Sequence, residues 1–345
     1  MEHKSIKTLK LTKHPKNPIL KPNEANNWEN LVVCNPGAWY ENGIFYLLYR
    51  AAGDDEEHTI SFGLATSTDG INFQRVSDKP VFGPSIDGPD MGGVEDARIV
   101  KFDDDYYVTY AYRPYAPGRY WTFEHDVIRL PEAGENAPLV YKNNIANTGL
   151  AMTKDFKSWR RLGRMTEPNL DNRDVILFPE KINGKFVLLH RPKEWVGKEY
   201  GCEFASIWLT YSDDMMIWTE PSTLLLSGKT GTWEEKVGGS TPPLKTKDGW
   251  LLIYHGVESG GGYYRVGVAL LDLKDPSIII VRDSDWIMEP EHDYEIEGLY
   301  KGCVFPTGNV IVDGTLYVYY GGADKYVGVA TCSVNDLLNH LKNIK

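Results

Sequence analysis

The chain has 345 residues, with 37 Lys+Arg against 48 Asp+Glu and a formal net charge of −11. That sign argues against a general nucleic-acid or membrane-surface binder, since phosphate backbones need a basic face, though a small basic pocket inside an acidic shell remains compatible with it. The 10 Trp, 21 Tyr, 11 Phe and 33 Gly favour many short strands and tight turns over long helices.

The N-terminal stretch MEHKSIKTLKLTKHP has no apolar core, so no signal peptide is expected. No apolar run approaches the ~20 residues of a membrane span. The expectation is a soluble, cytoplasmic protein. Cys34, Cys202, Cys303 and Cys332 lie far apart without CxxC spacing. They are read as buried free thiols rather than as a zinc site or disulfide framework.

A two-part phrase then recurs along the chain. Its first part is a turn followed by an aromatic-rich strand: NGIFYLLYR (42–50), DDDYYVTYAYR (103–113), NGKFVLLHR (183–191), DGWLLIYHG (248–256) and DGTLYVYYGG (313–322). The second part is another strand running into a small-polar turn: ISFGLATSTDGINF (60–73), TGLAMTKDFKSW (148–159), SIWLTYSDDMMIW (206–218), YRVGVALLDLKDP (264–276) and YVGVATCSVNDL (326–337). Asp-Gly and Asn-Gly are strong hairpin signals, because both residues can take positive φ. Gly184, Gly249 and Gly314 follow at even intervals of 65 residues. Segment 114–147 reads as an insertion in the second copy.

Five such repeats predict an all-β fold, a five-bladed β-propeller occupying residues 1–345 as one domain. Two packed β-domains explain the even spacing less well. A single helix is expected, the C-terminal SVNDLLNHLKNIK, with Ser333 or Asn335 as its cap.

Aligned, the first strands of the phrase end in Arg50, Arg113, His190-Arg191, His255 and Gly321-Gly322. Strand ends that recur in every blade gather around one axis, so polar and cationic groups should converge on a channel mouth. One exposed Arg would be unremarkable, but a set at equivalent positions is not. In GGVEDARIV (92–100), Glu95 and Asp96 are adjacent. On a regular strand they point to opposite faces, so only one should face a pocket; the plainer reading is an ion pair with Arg98. Arg173 and Arg191 flank an apolar hairpin, Lys236 precedes a Gly-Gly-Ser turn, and His255 ends a strand. Forked guanidinium donors plus a point ammonium suit an oxyanion or phosphate. Nucleotide-binding glycine loops and metal-ligand spacings are missing from the sequence.

At these residues the chain resembles the inverting β-mannoside phosphorylases of glycoside hydrolase family 130. The motifs run in the family's order from CNPGAW (34–39) through LLYRA (47–51), GVEDAR (93–98), FPEKINGK (178–185), LLHRP (188–192), GSTPP (239–243), YHG (254–256), YRVGVALLD (264–272) and VFPTGN (304–309) to YYGGAD (319–324). The resemblance implies a five-bladed propeller. It implies that Asp96 is the catalytic acid, protonating the glycosidic oxygen through a sugar hydroxyl. It further implies that Arg173, Arg191, Lys236, His255 and Tyr264 bind inorganic phosphate, and that Asn35, Arg50 and Asp324 contact the mannosyl unit. Ala97 stands where the family more often has Pro.

The implied inventory makes chemical sense. An inverting hydrolase needs an acid and a base that activates water. Phosphate is already an anionic nucleophile, and it needs cations to hold it rather than a base. The expected partners are a β-mannoside oligosaccharide and inorganic phosphate as co-substrate, with no cofactor and no metal. The products would be α-mannose 1-phosphate and a shortened acceptor. The alternative is a β-mannosidase on the same fold, with Glu180, Glu235 or Glu297 as the base; a non-catalytic carbohydrate-binding propeller is the third. Family members commonly form homo-oligomers, and the N-terminal arm and C-terminal helix are candidate contact elements.

Overall fold

The computed structural model describes residues 9–122, 130–218, 220–258 and 260–345. After a two-residue strand β1 (Thr12–Lys13) the chain lays down its sheets in order. The first blade holds β2 (Val32–Glu41), β3 (Ile44–Ala52), β4 (Ser61–Ser67) and β5 (Gln74–Arg75). The second holds β6 (Gly93–Phe102), β7 (Asp105–Arg113), β8 (Asn147–Thr153) and β9 (Trp159–Arg164), with the short helix α1 (Leu139–Asn143) between β7 and β8. The third holds β10 (Asn172–Leu177), β11 (Phe186–Pro192), β12 (Ile207–Ser212) and β13 (Thr223–Leu226). The fourth holds β14 (Lys236–Gly239), β15 (Leu244–Lys245), β16 (Trp250–Val257), β17 (Tyr264–Leu271) and β18 (Ile279–Arg282). After α2 (Asp293–Ile296), the fifth holds β19 (Val304–Val312), β20 (Thr315–Gly322) and β21 (Tyr326–Ser333), and α3 (Val334–Ile344) ends the chain.

The sheets are antiparallel and follow sequence order, except that β1 completes the last one, in the order β1-β21-β20-β19. Thr12 pairs with Thr331 and Lys13 with Ala330. The first strand thereby closes the ring by serving as the outermost strand of the last blade. The fold is the expected five-bladed propeller. The repeating phrase corresponds to the second and third strands of each blade. The innermost strands β2, β6, β10, β14 and β19 escaped the pattern, because they are buried on both faces and lack two-residue alternation.

A brace repeats inside four blades. Tyr49, Tyr110, Tyr254 and Tyr320 each sit on the second strand, directly opposite Gly63, Gly149, Gly267 and Gly328 on the third. A β-carbon on those glycines would come within 2.2, 2.7, 2.3 and 2.4 Å of the tyrosine side chain. Each phenol donates to a buried carboxylate: Glu29 at 3.0 Å, Asp90 at 3.1 Å, Glu234 at 2.7 Å and Glu295 at 2.7 Å. Each carboxylate also pairs with a cation on the fourth strand, namely Arg75, Arg161, Arg282 or Lys13. In the third blade His190 opposite Trp208 replaces the Tyr–Gly pair.

Helix α3 starts where expected: the Ser333 side chain accepts from the Asp336 N–H. Its Leu337, Leu338 and Leu341 pack into a core with Leu251, Ile253 and Leu316. The helices α1 and α2, four or five residues long, were not expected from the sequence. Cys34, Cys202 and Cys303 are buried free thiols as expected, while Cys332 is half-buried. No helix among the described residues is long and apolar enough to cross a membrane.

Candidate active site

Residues from all five blades line one cavity of about 710 Å³. The first blade gives Asn35 and Arg50, the second Glu95, Asp96 and Arg113, and the third Arg173, Asp174 and Arg191. The fourth gives His255 and Tyr264, and the fifth Cys303, Phe305 and Asp324. These positions are the same end of each blade, so the cavity lies at one mouth of the central axis. Arg98, buried outside that lining, ties the second blade to the fourth: its Nε donates to the Ser240 carbonyl at 3.1 Å and its NH1 to the Asp96 carbonyl at 2.7 Å.

Backbone geometry builds the mouth. Strands β2, β6 and β10 slip register between Cys34 and Gly37, between Glu95 and Arg98, and between Arg173 and Ile176. Inside those bulges Asn35, Asp96 and Asp174 have φ of 42°, 60° and 53°. Asn and Asp are the side-chain-bearing residues that tolerate this left-handed conformation best, and bulges re-aim side chains next to active sites. The bulge corrects one expectation: Glu95 and Asp96 both line the cavity instead of facing opposite ways, because a regular pleat does not run through them. The expected Arg98 ion pair is also different. Arg98 pairs with Asp174 at 3.3 Å, and Glu95 with Arg50 at 3.1 Å and Arg113 at 3.8 Å.

Around Asp96 the charges sort themselves. The Asn35 amide donates to Asp96 Oδ1 at 2.8 Å, and Arg50 reaches the same oxygen at 3.4 Å. Burial raises the pKa of Asp96; Arg50 opposes that and Glu95 adds to it, leaving it above its ordinary value. Burial also acts on Glu95, but Arg50, Arg113 and Arg173 outweigh it and hold Glu95 low. Burial raises Asp324 too, against Arg50. The three arginines favour the ionised form of Glu95, while burial and that neighbouring carboxylate favour the protonated form of Asp96.

On the third-blade side, Arg173 and Arg191 face each other in register across β10 and β11. Like charges directly opposite destabilise a strand pair, so the pairing needs anionic company. Asp171 takes the Arg173 fork through two bonds of 2.7 and 2.9 Å. Asp174 accepts from Arg191 Nε at 2.6 Å, while Arg191 NH1 is buried without a hydrogen-bond partner. His255 stacks on Tyr264, with centroids 5.5 Å apart. Burial lowers its pKa to about 3 against the pull of Asp174, so it is a neutral donor and not the cation its type allowed. Lys236 lies beside the cavity rather than in its lining, its ammonium 5.8 Å from the Tyr264 ring centroid. Burial and then Arg191 lower its pKa, which marks a corner already rich in positive charge.

The insertion forms one wall through Ala116, Pro117, Tyr120, Leu130 and Asn144. Residues 123–129 of it lie outside the described residues. The Tyr120 hydroxyl stands 3.4 Å from Arg50 NH2. Sequence reasoning missed Asp174 altogether; the signal was present, because Arg173-Asp174 occupies the bulge position of Glu95-Asp96 and Cys34-Asn35.

The family model described as beta-1,4-mannooligosaccharide phosphorylase, glycoside hydrolase 130, matches residues 10–127 and 128–343. The chain belongs to glycoside hydrolase family 130. Within that family it is 39% identical over 336 residues to a 1,2-beta-oligomannan phosphorylase of Thermoanaerobacter sp. (strain X514), covering 95% of this chain and 99% of the relative. It is also 39% identical over 334 residues to a beta-1,2-mannobiose phosphorylase of the same organism, covering 93% and 97%. The solved structure of a beta-1,2-mannobiose phosphorylase from Listeria innocua in complex with beta-1,2-mannobiose superposes with a TM-score of 0.76 at 26% identity, covering 96% of this chain and 99% of that one.

Proposed function

We propose that this family 130 member is an inverting phosphorylase that cleaves a β-mannosidic bond with inorganic phosphate, releasing α-mannose 1-phosphate and a shortened acceptor sugar. The observation that carries the phosphate assignment is Arg191, whose NH1 is buried and unpartnered in a wall where Arg173 already stands opposite. A buried charged donor left unpaired is costly, and a tetrahedral oxyanion supplies the missing acceptor. Phosphate sits against Arg173, Arg191, His255 and Tyr264 as co-substrate, with the Lys236 ammonium behind Tyr264 adding positive charge, and the chemistry asks for no other cofactor. One phosphate oxygen forms a bond to the anomeric carbon from the face opposite the leaving oxygen. The glycosidic C–O bond breaks, its electron pair departs with the leaving oxygen, and that oxygen receives a proton from Asp96 by way of a sugar hydroxyl. Asn35, Arg50 and Asp324 hold the mannosyl unit, and the insertion wall caps the acceptor side.

We assign the linkage as β-1,2. The two Thermoanaerobacter relatives and the Listeria structure carry that linkage in their names; the β-1,4 in the family description covers the family broadly. Hydrolysis gains no support from the proposed bases. Glu180 pairs with Lys245, Glu235 accepts the Gly231 N–H at 2.7 Å, and Glu297 is exposed; none of the three lines the cavity.

The test is the reverse reaction, with α-mannose 1-phosphate and mannose, β-1,2-mannobiose, β-1,4-mannobiose, glucose or N-acetylglucosamine as acceptor, scored by phosphate release. Release with mannose or β-1,2-mannobiose, giving β-1,2-linked products, is expected. β-1,4-linked products would overturn the linkage, and no release with any acceptor would overturn the phosphorylase.

A further inference from the structure

A carboxylate inside an anion site is an unusual placement, and Asp174 is one. It lines the cavity, is 5% exposed, and lies between Arg191, Arg98 and His255. Its two oxygens are not equivalent. Oδ2 accepts from Arg191 Nε at 2.6 Å, has His255 Nε2 at 3.7 Å, and is pressed on Gly238, where a β-carbon would come within 2.4 Å. Oδ1 has one long contact among the described residues, Arg98 NH2 at 3.3 Å, which leaves it a lone pair to use. Burial raises the Asp174 pKa, but Arg191, His255 and Arg98 outweigh it and hold the group ionised at working pH.

An ionised carboxylate can only accept a hydrogen bond. At neutral pH every inorganic phosphate ion carries at least one proton, whereas sulfate, of the same shape and of the same charge as monohydrogen phosphate, carries none. We propose that Asp174 is the selectivity residue of the anion site: its Oδ1 accepts a hydrogen bond from the P–OH of monohydrogen phosphate, so the site admits a protonated oxyanion and repels an unprotonated one. This inference rests on the phosphate assignment made above. Cations alone would hold sulfate and phosphate alike; the buried acceptor supplies the discrimination, as repulsion against the wrong anion and a hydrogen bond to the right one. Arsenate, which also carries a proton, passes the same filter.

The experiment measures phosphorolysis of β-1,2-mannobiose at pH 7 by the full-length protein, with sulfate and arsenate as competing anions. For the wild type, arsenate should replace phosphate as co-substrate, and the sulfate inhibition constant should lie at least ~30-fold above the phosphate KM. Asp174→Asn keeps a residue that tolerates positive φ and can donate to sulfate, so the sulfate-to-phosphate ratio should fall by roughly tenfold or more. A purely structural Asp174 would weaken both anions together and leave the ratio unmoved. Should the variant not fold, the wild-type comparison still decides. Saturable phosphate dependence with sulfate competing within about threefold of the phosphate KM, or an unchanged ratio in Asp174→Asn, overturns the selectivity alone. Absence of any saturable phosphate dependence brings down the anion site itself and the selectivity with it.

Discussion

Asp96 is held in a left-handed backbone conformation, buried, with an amide and a guanidinium on one oxygen and a carboxylate as its chain neighbour. Asn tolerates that conformation, so Asp96→Asn isolates the proton from the fold. Loss of a positioned general acid is worth roughly 10²–10⁴ in kcat, and kcat should fall by at least that lower bound with phosphate still binding; full activity would remove Asp96 from the mechanism. The raised pKa gives a second expectation. An acid whose folded pKa lies above its unfolded value destabilises the fold as pH rises through that window, because the unfolded chain releases the proton first. Asp96→Asn should therefore match or exceed the wild-type Tm at pH 8, and a lower Tm would contradict the charge arrangement. Arg50 belongs to the same unit. Arg50→Ala removes the nearer cation from buried Glu95 and leaves it Arg113 at 3.8 Å, so the cost should stay below the roughly 3–5 kcal/mol of a buried charge left unpaired, readable as a shift in the urea midpoint. None of this was legible in the sequence beyond the residue names. Adjacency of Glu95 and Asp96 suggests opposite faces, and only the bulge at Asp96 overturns that.

The blade brace is where an element-level test belongs. Gly267 faces Tyr254, whose phenol holds Glu234 and Arg282. Gly267→Ala drives a β-carbon against the ring and should cost roughly 1–3 kcal/mol by overpacking. Tyr254→Phe removes one hydrogen bond from a buried carboxylate that keeps Arg282, and should cost roughly 1–3 kcal/mol. Because both act on one brace, the double variant should cost less than the sum; strict additivity in chemical denaturation would mean that the two residues do not work together. The turns and the second and third strands were readable from Asn-Gly and Asp-Gly dipeptides and aromatic alternation. The brace was not, because its carboxylates and fourth-strand cations are dispersed at irregular spacing, from Lys13 to Glu295 in the last blade. The insertion wall was readable as an interruption of the repeat beside the acid-bearing blade; that Tyr120 is the residue reaching Arg50 was not.

At the scale of the molecule, closure of the ring joins the two ends of the chain. Leu11 is buried between the fourth and fifth blades, Leu20 between the first and fifth, and Lys13 completes a brace. Removing residues through Leu20 should lower Tm by roughly 5–10 °C, and an unchanged Tm would contradict a structural role for the closing strand. Acid should act on the whole fold as well. His58 and His190 are pushed to about 4 and His255 to about 3 by burial. The unfolded chain binds those protons first, so stability present above pH ~6.5 is lost as pH falls toward these values. All five blades meet at the cavity, and the claim that joins them is that an anion attacks the sugar there. The direct measurement follows β-1,2-mannobiose by ³¹P and ¹H NMR in matched buffers with and without inorganic phosphate. Mannose 1-phosphate in the α configuration, formed one for one with phosphate consumed and absent without it, is the predicted result; free mannose produced at the same rate in both buffers would contradict the account.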